Sequence, residues 1–217
     1  MNMGDEKKVL ILANSSSGLY DFRNELMAEI MQQARLVASI PEGEKVDDIA
    51  RMGCQVIPTD IDRRGINPVT DLKLFCTYRR MLKAEKPDLV ITYTIKPNIY
   101  GGLACRLAKV PYAVNITGLG TTFQNNGWLR RLVTFLYRTA LKKAKVVFFE
   151  NGGNREIFVD ENIVPESKCH LLSGAGVNLQ RYPFMPYAEE GPVRFLFMGR
   201  VMKEKGIDEL LDRKSVV

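Results

Sequence analysis

The sequence predicts an α/β protein built on a doubly wound parallel sheet. Short, continuously apolar runs alternate with helix-length segments along most of the 217 residues. Because these runs lack the apolar–polar alternation of a half-solvated sheet, we expect both faces of the sheet to be covered. Right-handed crossovers place the connecting helices on both faces, which is the Rossmann-like arrangement. Ligands of such sheets bind beyond the carboxyl ends of the strands.

Each predicted strand is a run of β-branched and aliphatic residues of ordinary strand length. A polar loop, Asn14-Ser-Ser-Ser-Gly18, separates the first strand from the first helix. The predicted strands are Lys8–Ala13, Leu36–Ile40, Gln55–Pro58, Leu89–Thr94, Tyr112–Ile116 and Val146–Phe149. The predicted helices are Leu19–Ala34, Val46–Met52, Pro68–Lys86, Asn98–Ala108 and Trp128–Lys143.

The pattern changes after Phe149. A short helix and a strand are predicted within 151–172, and the three prolines of 182–192 predict a linker. A new strand, Val193–Met198, and a helix start, Ile207–Leu211, then indicate a second α/β unit. One strand and half a helix cannot bury a core. We therefore expect an N-terminal domain over 1–182, a linker over 183–192 and the truncated start of a second domain over 193–217.

The composition excludes several classes of protein. A hydrophobic content of 46% argues against a disordered chain, and no stretch is long and apolar enough to span a bilayer. The apolar run Val9–Ala13 is too short for a secretory signal, so a cytosolic location is expected. The four cysteines are widely spaced and His170 is the only histidine, so no zinc, redox or triad motif is present. We expect neither a metal nor a cofactor.

The charge is distributed unevenly along the chain. The whole sequence carries 31 Lys and Arg against 25 Asp and Glu, a net charge of +6. From Leu89 to Phe149 there are nine basic residues and no acidic one, which leaves 22 basic and 25 acidic residues elsewhere. Such asymmetry predicts an anionic partner, which is a phosphate group, a nucleic acid or an anionic membrane surface.

The helix that begins at Trp128 concentrates part of this charge. Its helical spacing predicts one apolar face that packs on the sheet, formed by Leu129, Leu132, Val133, Leu136, Ala140 and Ala144. A solvated basic face and a membrane-binding face both fit the opposite side. The aromatic rings beside the basic stripe favour membrane contact by Trp128, Arg131, Phe135, Arg138 and Lys142. No basic-aromatic nucleic-acid motif is present, so nucleic acid is not an expected partner.

Polar loops follow several predicted strands at the same edge of the sheet. The first contains Ser16, Ser17 and Gly18, and it has neither the three-glycine dinucleotide spacing nor the lysine of a P-loop. It is either a serine-capped turn or a functional loop, and Arg23 beyond it is either an anion contact or a surface charge. Later loops offer groups suited to sugar hydroxyls or phosphate oxygens: Lys96, Asn98, Thr117, Gly118 and Gly120. Glu150 either faces the same cleft or caps the following helix.

Four phrases in this order resemble the family-four retaining glycosyltransferases of the GT-B fold, in the bacterial surface-polysaccharide branch. They are Thr92-Tyr-Thr-Ile-Lys-Pro-Asn-Ile-Tyr-Gly101, Asn115-Ile-Thr-Gly-Leu-Gly120, Gly174-Ala-Gly-Val-Asn178 and Phe197-Met-Gly-Arg-Val-Met-Lys-Glu-Lys-Gly206. The resemblance covers residues 7–211, and the last two phrases are the most specific.

This resemblance implies transfer of a sugar from a nucleotide-sugar to a polyprenyl-diphosphate-linked acceptor, by a peripheral enzyme on the inner face of the plasma membrane. In such enzymes the N-terminal domain binds acceptor and membrane, and the C-terminal domain binds the donor. The loop Ser15–Gly18, Lys96, Asn98 and Thr117–Gly120 are then expected on the acceptor side of the cleft. Arg200 and Lys205 match the basic pair that holds the donor diphosphate. The catalytic residues are not assigned.

The sequence departs from the family in two places. The Glu-rich donor motif of the family lies beyond Val217, and the histidine that many relatives carry near Ile95-Lys96 is absent. The first hypothesis is therefore the acceptor half of a truncated glycosyltransferase that is inactive alone. The alternative is a non-catalytic acceptor- and membrane-binding half of a two-chain enzyme. A third hypothesis is an unrelated Rossmann-like nucleotide or phosphate binder.

Overall fold

The computed structural model describes residues 6–63, 65–120, 123, 127–187, 191–192, 195–199, 201 and 205–212. Within these residues, seven strands form one sheet in which all neighbours are parallel. The strands are β1 (Lys8–Leu12), β2 (Arg35–Ile40), β3 (Gln55–Pro58), β4 (Leu89–Tyr93), β5 (Tyr112–Ile116), β6 (Val146–Phe149) and β7 (Cys169–Leu171). The helices are α1 (Ser16–Met31), α2 (Val46–Arg51), α3 (Pro68–Glu85), α4 (Gly102–Ala108), α5 (Trp128–Leu141), α6 (Gly152–Asp160) and α7 (Ile207–Asp212). The predicted α/β fold class is confirmed.

The strand order, β3-β2-β1-β4-β5-β6-β7, reverses direction at β1. The chain builds outward from β1 through β2 to β3, and it then returns to place β4 on the other side of β1. The loops that follow β1 and β4 consequently leave the sheet in different directions. Such a switch point creates a crevice at the carboxyl edge, where ligands of open α/β sheets bind.

Helices cover both faces of the sheet, as the apolar runs predicted. Neighbouring residues of β1 point to opposite faces, with Leu10 and Leu12 in one core cluster and Val9 and Ile11 in another. Side chains of α3, α4, α5 and α6 complete the first cluster, and side chains of α1 and α2 complete the second. The sheet is thereby fixed as the rigid platform that carries the loops at its edge.

Two helix starts are determined by side-chain caps. Ser15 has an extended backbone, and its side chain accepts a hydrogen bond from the Gly18 N–H at 3.1 Å. The first helix therefore begins at Ser16, three residues before its predicted start at Leu19, because the cap satisfies a free N–H group of the first turn. Asn67 caps α3 in the same way by accepting from the Val69 N–H at 2.9 Å.

The chain divides into two compact units, residues 1–176 and 177–217. In the second unit, α7 confirms the helix start predicted at Ile207. The predicted strand Val193–Met198 is not found in its described part, because residues 195–198 are irregular and exposed and pair with no other strand among the described residues. Val193 and Arg194 lie outside those residues. The domain limits at 182 and 192 stay predictions.

None of the helices in the described part of the chain is long and apolar enough to cross a bilayer.

Candidate functional site

A pocket of about 320 Å³ opens at the topological switch point, within the unit formed by residues 1–176. It lies beyond the carboxyl ends of β1, β4, β5 and β6, where the strand order predicts a ligand crevice. We call it the switch-point pocket. Its lining consists of Ala13, Asn14, Ser15, Gly18, Leu19, Phe22, Arg23, Arg63, Tyr93, Thr94, Thr117, Glu150 and Ala175. Its volume is in the range of small-molecule sites.

An ion pair between Arg23 and Glu150 occupies the wall of this pocket. The Arg23 guanidinium donates through Nη2 to Glu150 Oε1 and through Nη1 to the Phe22 carbonyl at 2.8 Å. Asn115 Nδ2 donates to the same Glu150 oxygen at 3.3 Å. The guanidinium also lies over the Tyr93 ring, 5.3 Å from its centroid. Arg23 is only 8% exposed, so its charge is held within the protein.

This arrangement answers two questions that the sequence leaves open. Glu150 faces the cleft, and Asn151, not Glu150, caps the next helix by accepting from the Asn154 N–H at 2.8 Å. Arg23 lines the pocket, but its charge is compensated by Glu150. Burial raises the pKa of Tyr93, while the nearby Arg23 opposes that shift, so the phenol stays protonated at neutral pH.

Thr94 lies at the end of β4 in a strained conformation. Its φ of 72° is in the left-handed region, which a β-branched residue rarely adopts. Its hydroxyl is buried, and among the described residues no group forms a hydrogen bond with it. Strained residues and unpaired buried groups are concentrated at ligand sites, and Thr94 lines the switch-point pocket.

The first predicted loop contributes only in part to the pocket. Ser15 and Gly18 line it, whereas Ser16 and Ser17 are not among its lining residues. Ser16 is buried, and a Cβ atom at Gly43 would lie 2.5 Å from its hydroxyl oxygen. Ser16 is therefore packed under the loop that follows β2. Its predicted acceptor-binding role stays a prediction.

Lys96 and Asn98 are engaged by other parts of the protein. Lys96 Nζ lies 2.6 Å from Asp71 Oδ1, and its side chain is only 12% exposed. The Asn98 side chain accepts from Thr92 Oγ1 at 2.7 Å and donates to the Asn115 carbonyl at 2.9 Å. Asn98 is 1% exposed and lies in a π-helical segment, Pro97–Gly101, before α4. Neither side chain lines the switch-point pocket.

The loop after β5 reaches the pocket through Thr117. A Cβ atom at Gly118 would have no described atom within 4 Å, whereas Gly120 has a φ of 64°. The positive φ favours glycine at position 120, and a Cβ atom there would make a tight contact of 3.3 Å with Ile95 Cδ1. The loops after β4 and β5 are therefore packed together, as convergent loops at one sheet edge predict.

Arg63 is a pocket residue that the sequence reasoning missed. It belongs to the loop between β3 and α3, is exposed, and lines the pocket. Among the described residues it forms no ion pair. The available signal was an Arg-Arg-Gly sequence in a loop at the carboxyl edge of the sheet. Among the described residues, no acidic side chain pairs with Arg63 at the pocket, whereas Arg23 pairs with Glu150.

A second concavity of about 540 Å³ lies against α5. It is lined by Gly127, Arg130, Arg131, Thr134, Phe135, Arg138 and Glu161. Arg130 pairs with Glu161, and Arg138 donates to the carbonyls of Glu161 and Asn162 at 2.7 and 3.0 Å. Arg131 forms no ion pair among the described residues, so this surface retains a net positive charge.

The buried face of α5 agrees in part with the predicted one. Of the predicted residues, Ala140 and Ala144 are buried and Val133 and Leu136 pack against the core, whereas Leu132 is 41% exposed. Thr134, Tyr137 and Leu141 are also buried, which the spacing did not predict. Thr134 Oγ1 lies 3.5 Å from Glu161 Oε2, so its hydroxyl has a polar neighbour although it is buried. Leu132 joins Trp128 and Phe135, which are 71% and 59% exposed, and we call these three residues the α5 ridge. The predicted outward position of the two aromatic residues is confirmed.

The predicted donor residues are in the second unit. Arg200 lies outside the described residues, and Lys205 is exposed in the turn before α7. The four cysteines are unpaired, with Cys54 and Cys105 buried. Among the described residues, no three His, Cys, Asp or Glu side chains are grouped as a metal site requires. The expectation that no metal or cofactor takes part stays a prediction.

The sequence and the fold have counterparts among known proteins. A family model described as Glycosyl transferase 4-like matches residues 8–151. The chain is 27% identical over 230 residues to the N,N'-diacetylbacillosaminyl-diphospho-undecaprenol alpha-1,3-N-acetylgalactosaminyltransferase of Campylobacter jejuni. The aligned region covers 97% of this chain and 60% of that protein. It is 29% identical over 140 residues to the UDP-Gal:alpha-D-GlcNAc-diphosphoundecaprenol alpha-1,3-galactosyltransferase of Escherichia coli. That aligned region covers 63% of this chain and 35% of that protein. The chain thus spans less than two thirds of these relatives.

The crystal structure of Anabaena HepE in complex with UDP-glucose is similar to this chain, with a TM-score of 0.62 at 14% sequence identity. The match covers 82% of this chain and 46% of that one. At this identity the likeness shows the fold alone, and the fold is the one predicted for the N-terminal half of a GT-B protein.

Proposed function

The chain belongs to the glycosyl transferase 4-like family. From this premise we propose that it supplies the acceptor-binding domain of a retaining enzyme that transfers a sugar from a nucleotide-sugar to a polyprenyl-diphosphate-linked acceptor. The observation that carries the proposal is the switch-point pocket, most of which lies within the residues that the family model matches. Both relatives are named for diphospho-undecaprenol substrates, which supports this acceptor class.

Arg63 is the residue assigned to the acceptor diphosphate in this proposal. Arg23 and Lys96 each have a carboxylate partner, so their charge is already compensated. Arg63 lines the same pocket, is exposed and lacks an ion pair among the described residues. A guanidinium presents a planar set of donors that suits phosphate oxygens, and charge-assisted bonds of this kind are strong.

The α5 ridge and the basic residues beside it are assigned to the anionic inner surface of the plasma membrane. A polyprenyl acceptor remains in the bilayer, so the pocket must approach the headgroups to reach the diphosphate. Trp128, Leu132 and Phe135 supply exposed apolar area, and Arg131 and Lys142 supply charge that attracts anionic lipids. The proposed location is therefore cytoplasmic and peripheral, without a nucleic-acid partner.

Donor binding is assigned to a second domain of the GT-B type. Arg200 and Lys205 remain the proposed contacts for the donor diphosphate, where positive charge stabilises the departing nucleotide. The reaction is proposed to need no metal and no further cofactor. A non-catalytic half of a two-chain transferase is the competing proposal, and a donor-binding partner chain that restores transfer would favour it.

Acceptor binding is tested on this chain with N-acetylglucosaminyl diphosphoryl farnesol, a short-chain analogue of the acceptor class. We expect the wild-type chain to bind this probe, and Arg63→Gln to bind it about tenfold more weakly, the effect of losing one charge-assisted contact. The control probe is N-acetylglucosamine without the diphosphate, whose affinity should not depend on Arg63. Equal affinity of both chains for the diphosphate probe would refute the assignment of Arg63.

Membrane binding is tested with vesicles that contain anionic phosphatidylglycerol. Trp128 is the single tryptophan, so insertion of the α5 ridge should shift its fluorescence to shorter wavelength. The double variant Arg131→Glu/Lys142→Glu should lose vesicle binding. The control, Arg80→Glu/Lys83→Glu, makes the same charge change on exposed residues of α3 and should retain it. An equal loss of vesicle binding in both variants would show that only the net charge of the protein matters. Displacement of the protein from the vesicles by an oligonucleotide would indicate that the basic surface binds nucleic acid instead.

A further inference from the structure

Among the residues that the structure describes, hydrogen-bond donors contact only one of the two carboxylate oxygens of Glu150. It follows β6 directly, lines the switch-point pocket and has a side-chain exposure of 18%. Oε1 accepts from Arg23 and Asn115. Within the part of the chain that the structure describes, Oε2 accepts no hydrogen bond. Glu150 thus combines a fixed orientation with a free acceptor atom at a pocket.

The partners of Glu150 hold its carboxylate in one place. Arg23 is buried, and the Tyr93 ring and the Phe22 carbonyl restrict its guanidinium. Placing such a pair in a protein interior costs desolvation free energy, which a purely structural contact recovers by satisfying both carboxylate oxygens. Here the second oxygen accepts no hydrogen bond from the described residues, and Glu150 lines the pocket. A carboxylate oxygen forms stronger hydrogen bonds with hydroxyl donors than a neutral acceptor does.

Resting on the proposed function, we propose that Glu150 Oε2 accepts a hydrogen bond from one hydroxyl group of the acceptor sugar. Arg23 and Asn115 are positioning residues, because they act only through the Glu150 carboxylate. Arg63 binds the diphosphate of the same acceptor, so one pocket recognises both the sugar and the anionic group attached to it. Glu150 is then a determinant of which acceptor sugar is accepted.

The test is a cycle of protein and ligand changes. The wild-type chain and Glu150→Gln are titrated with N-acetylglucosaminyl diphosphoryl farnesol, the parent probe. They are also titrated with the analogues of this probe that lack the 3-, 4- or 6-hydroxyl group of the sugar. We expect one deoxy analogue to bind the wild-type chain about tenfold more weakly than the parent probe, the effect of one lost bond to a charged acceptor. For Glu150→Gln, the affinity for the same analogue should be less than about threefold below the affinity for the parent probe, because this variant already lacks the contact.

A matched control and a second variant separate this contact from general damage. Glu85 pairs with Lys8 at 3.1 Å and has the same side-chain exposure of 18%, but it is not part of the pocket. Glu85→Gln should bind every probe as the wild-type chain does. If Glu150→Gln does not fold, Glu150→Asp keeps the charge for Arg23 but shortens the reach by one methylene, and it should show the same loss.

The outcomes distinguish the two levels of the proposal. Binding of the parent probe by the wild-type chain, with identical deoxy losses in the wild-type and Glu150 variants, would overturn the role of Glu150 and leave the proposed function in place. Absence of any probe binding by the wild-type chain would overturn both.

Discussion

Lys96 and Asp71 form an ion pair at 2.6 Å that joins the segment after β4 to the first turn of α3. The side chains are 12% and 13% exposed. Tyr100 donates to the other oxygen of Asp71 at 2.8 Å, so the carboxylate is satisfied on both sides. Burial, and then Asp71, raise the pKa of Tyr100, which keeps this phenol a donor. The three side chains form one network that joins α3 to the segment after β4.

Removal of one member of this network should destabilise the domain. We expect Asp71→Asn to lower the free energy of unfolding by about 1–3 kcal/mol, because Lys96 is left as a largely buried charge without its partner. Urea denaturation measures the change. The control is Arg155→Gln, which breaks an ion pair whose members are 30% and 68% exposed and should cost no more than about 1 kcal/mol. Equal effects of the two variants would contradict the network.

Thr94→Gly should stabilise the protein. A β-branched residue at φ 72° is strained, and glycine adopts this conformation without a steric cost. We expect an increase of about 1 kcal/mol in the free energy of unfolding, after the entropy loss of glycine is subtracted from the relieved strain. Thermal unfolding of both chains gives the value.

Lys109→Gly is the comparison for this substitution. Lys109 has a φ of 57° but is not β-branched, so its gain should be smaller. A loss of stability in Thr94→Gly would show that the methyl and hydroxyl contacts of Thr94 outweigh the strain.

The sheet was predictable because burial on both faces leaves a direct record in the sequence. The predicted limits of β3, β5 and β6 equal the observed ones, and each strand consists mainly of apolar residues. The start of α1 was not predictable to the residue. Three successive serines precede Gly18, and the residue types alone do not show which of them supplies the cap.

The candidate site was predictable in position but not in its pairing. Polar loops after parallel strands meet at one edge, so Ser15, Gly18 and Thr117 were brought together as expected. The Arg23–Glu150 pair spans 127 residues, and no local pattern connects its members. The sequence also does not show which polar side chains form their hydrogen bonds and ion pairs within the protein. For that reason the sequence did not reveal the internal partners of Lys96 and Asn98, whose acceptor-binding roles stay predictions, and it did not single out Arg63.

The buried thiols predict a loss of stability at alkaline pH. Burial raises the pKa of Cys54 and of Cys105 from 9.0 to about 12. Between these values the unfolded thiol ionises and the folded thiol does not, so the folded state binds more protons and stability falls as pH rises. Each group should contribute a decrease of about 1.4 kcal/mol per pH unit across this range. Urea midpoints at pH 8, 9 and 10 measure the decrease.

Cys105→Ala isolates one of these contributions. Cys105 is fully buried, so the variant is less stable at neutral pH because of the lost contacts. It lacks the titrating group, however, and its stability should therefore fall less steeply above pH 9 than that of the wild-type chain. Parallel curves would show that the thiol at position 105 does not contribute to the pH dependence.

Asn98 ties β4 to β5 and offers a direct choice between a structural and a binding role. Its side chain accepts from Thr92 Oγ1 and donates to the Asn115 carbonyl, and it is 1% exposed. We expect Asn98→Ala to lower the free energy of unfolding by about 2–4 kcal/mol, because two buried polar partners lose their hydrogen bonds. Ser17→Ala, at a half-buried position of the first turn of α1, should change stability by less than about 1 kcal/mol.

Probe binding by the same variant decides the assignment. Binding is measured without urea, at a temperature at which Asn98→Ala remains folded. We expect its affinity for N-acetylglucosaminyl diphosphoryl farnesol to stay within about threefold of the wild-type value, because Asn98 is not part of the pocket lining. A variant with wild-type stability and lost binding would instead restore Asn98 as the acceptor contact that its place after β4 predicts. The two measurements together thus separate a residue that holds the strands in register from one that touches the ligand.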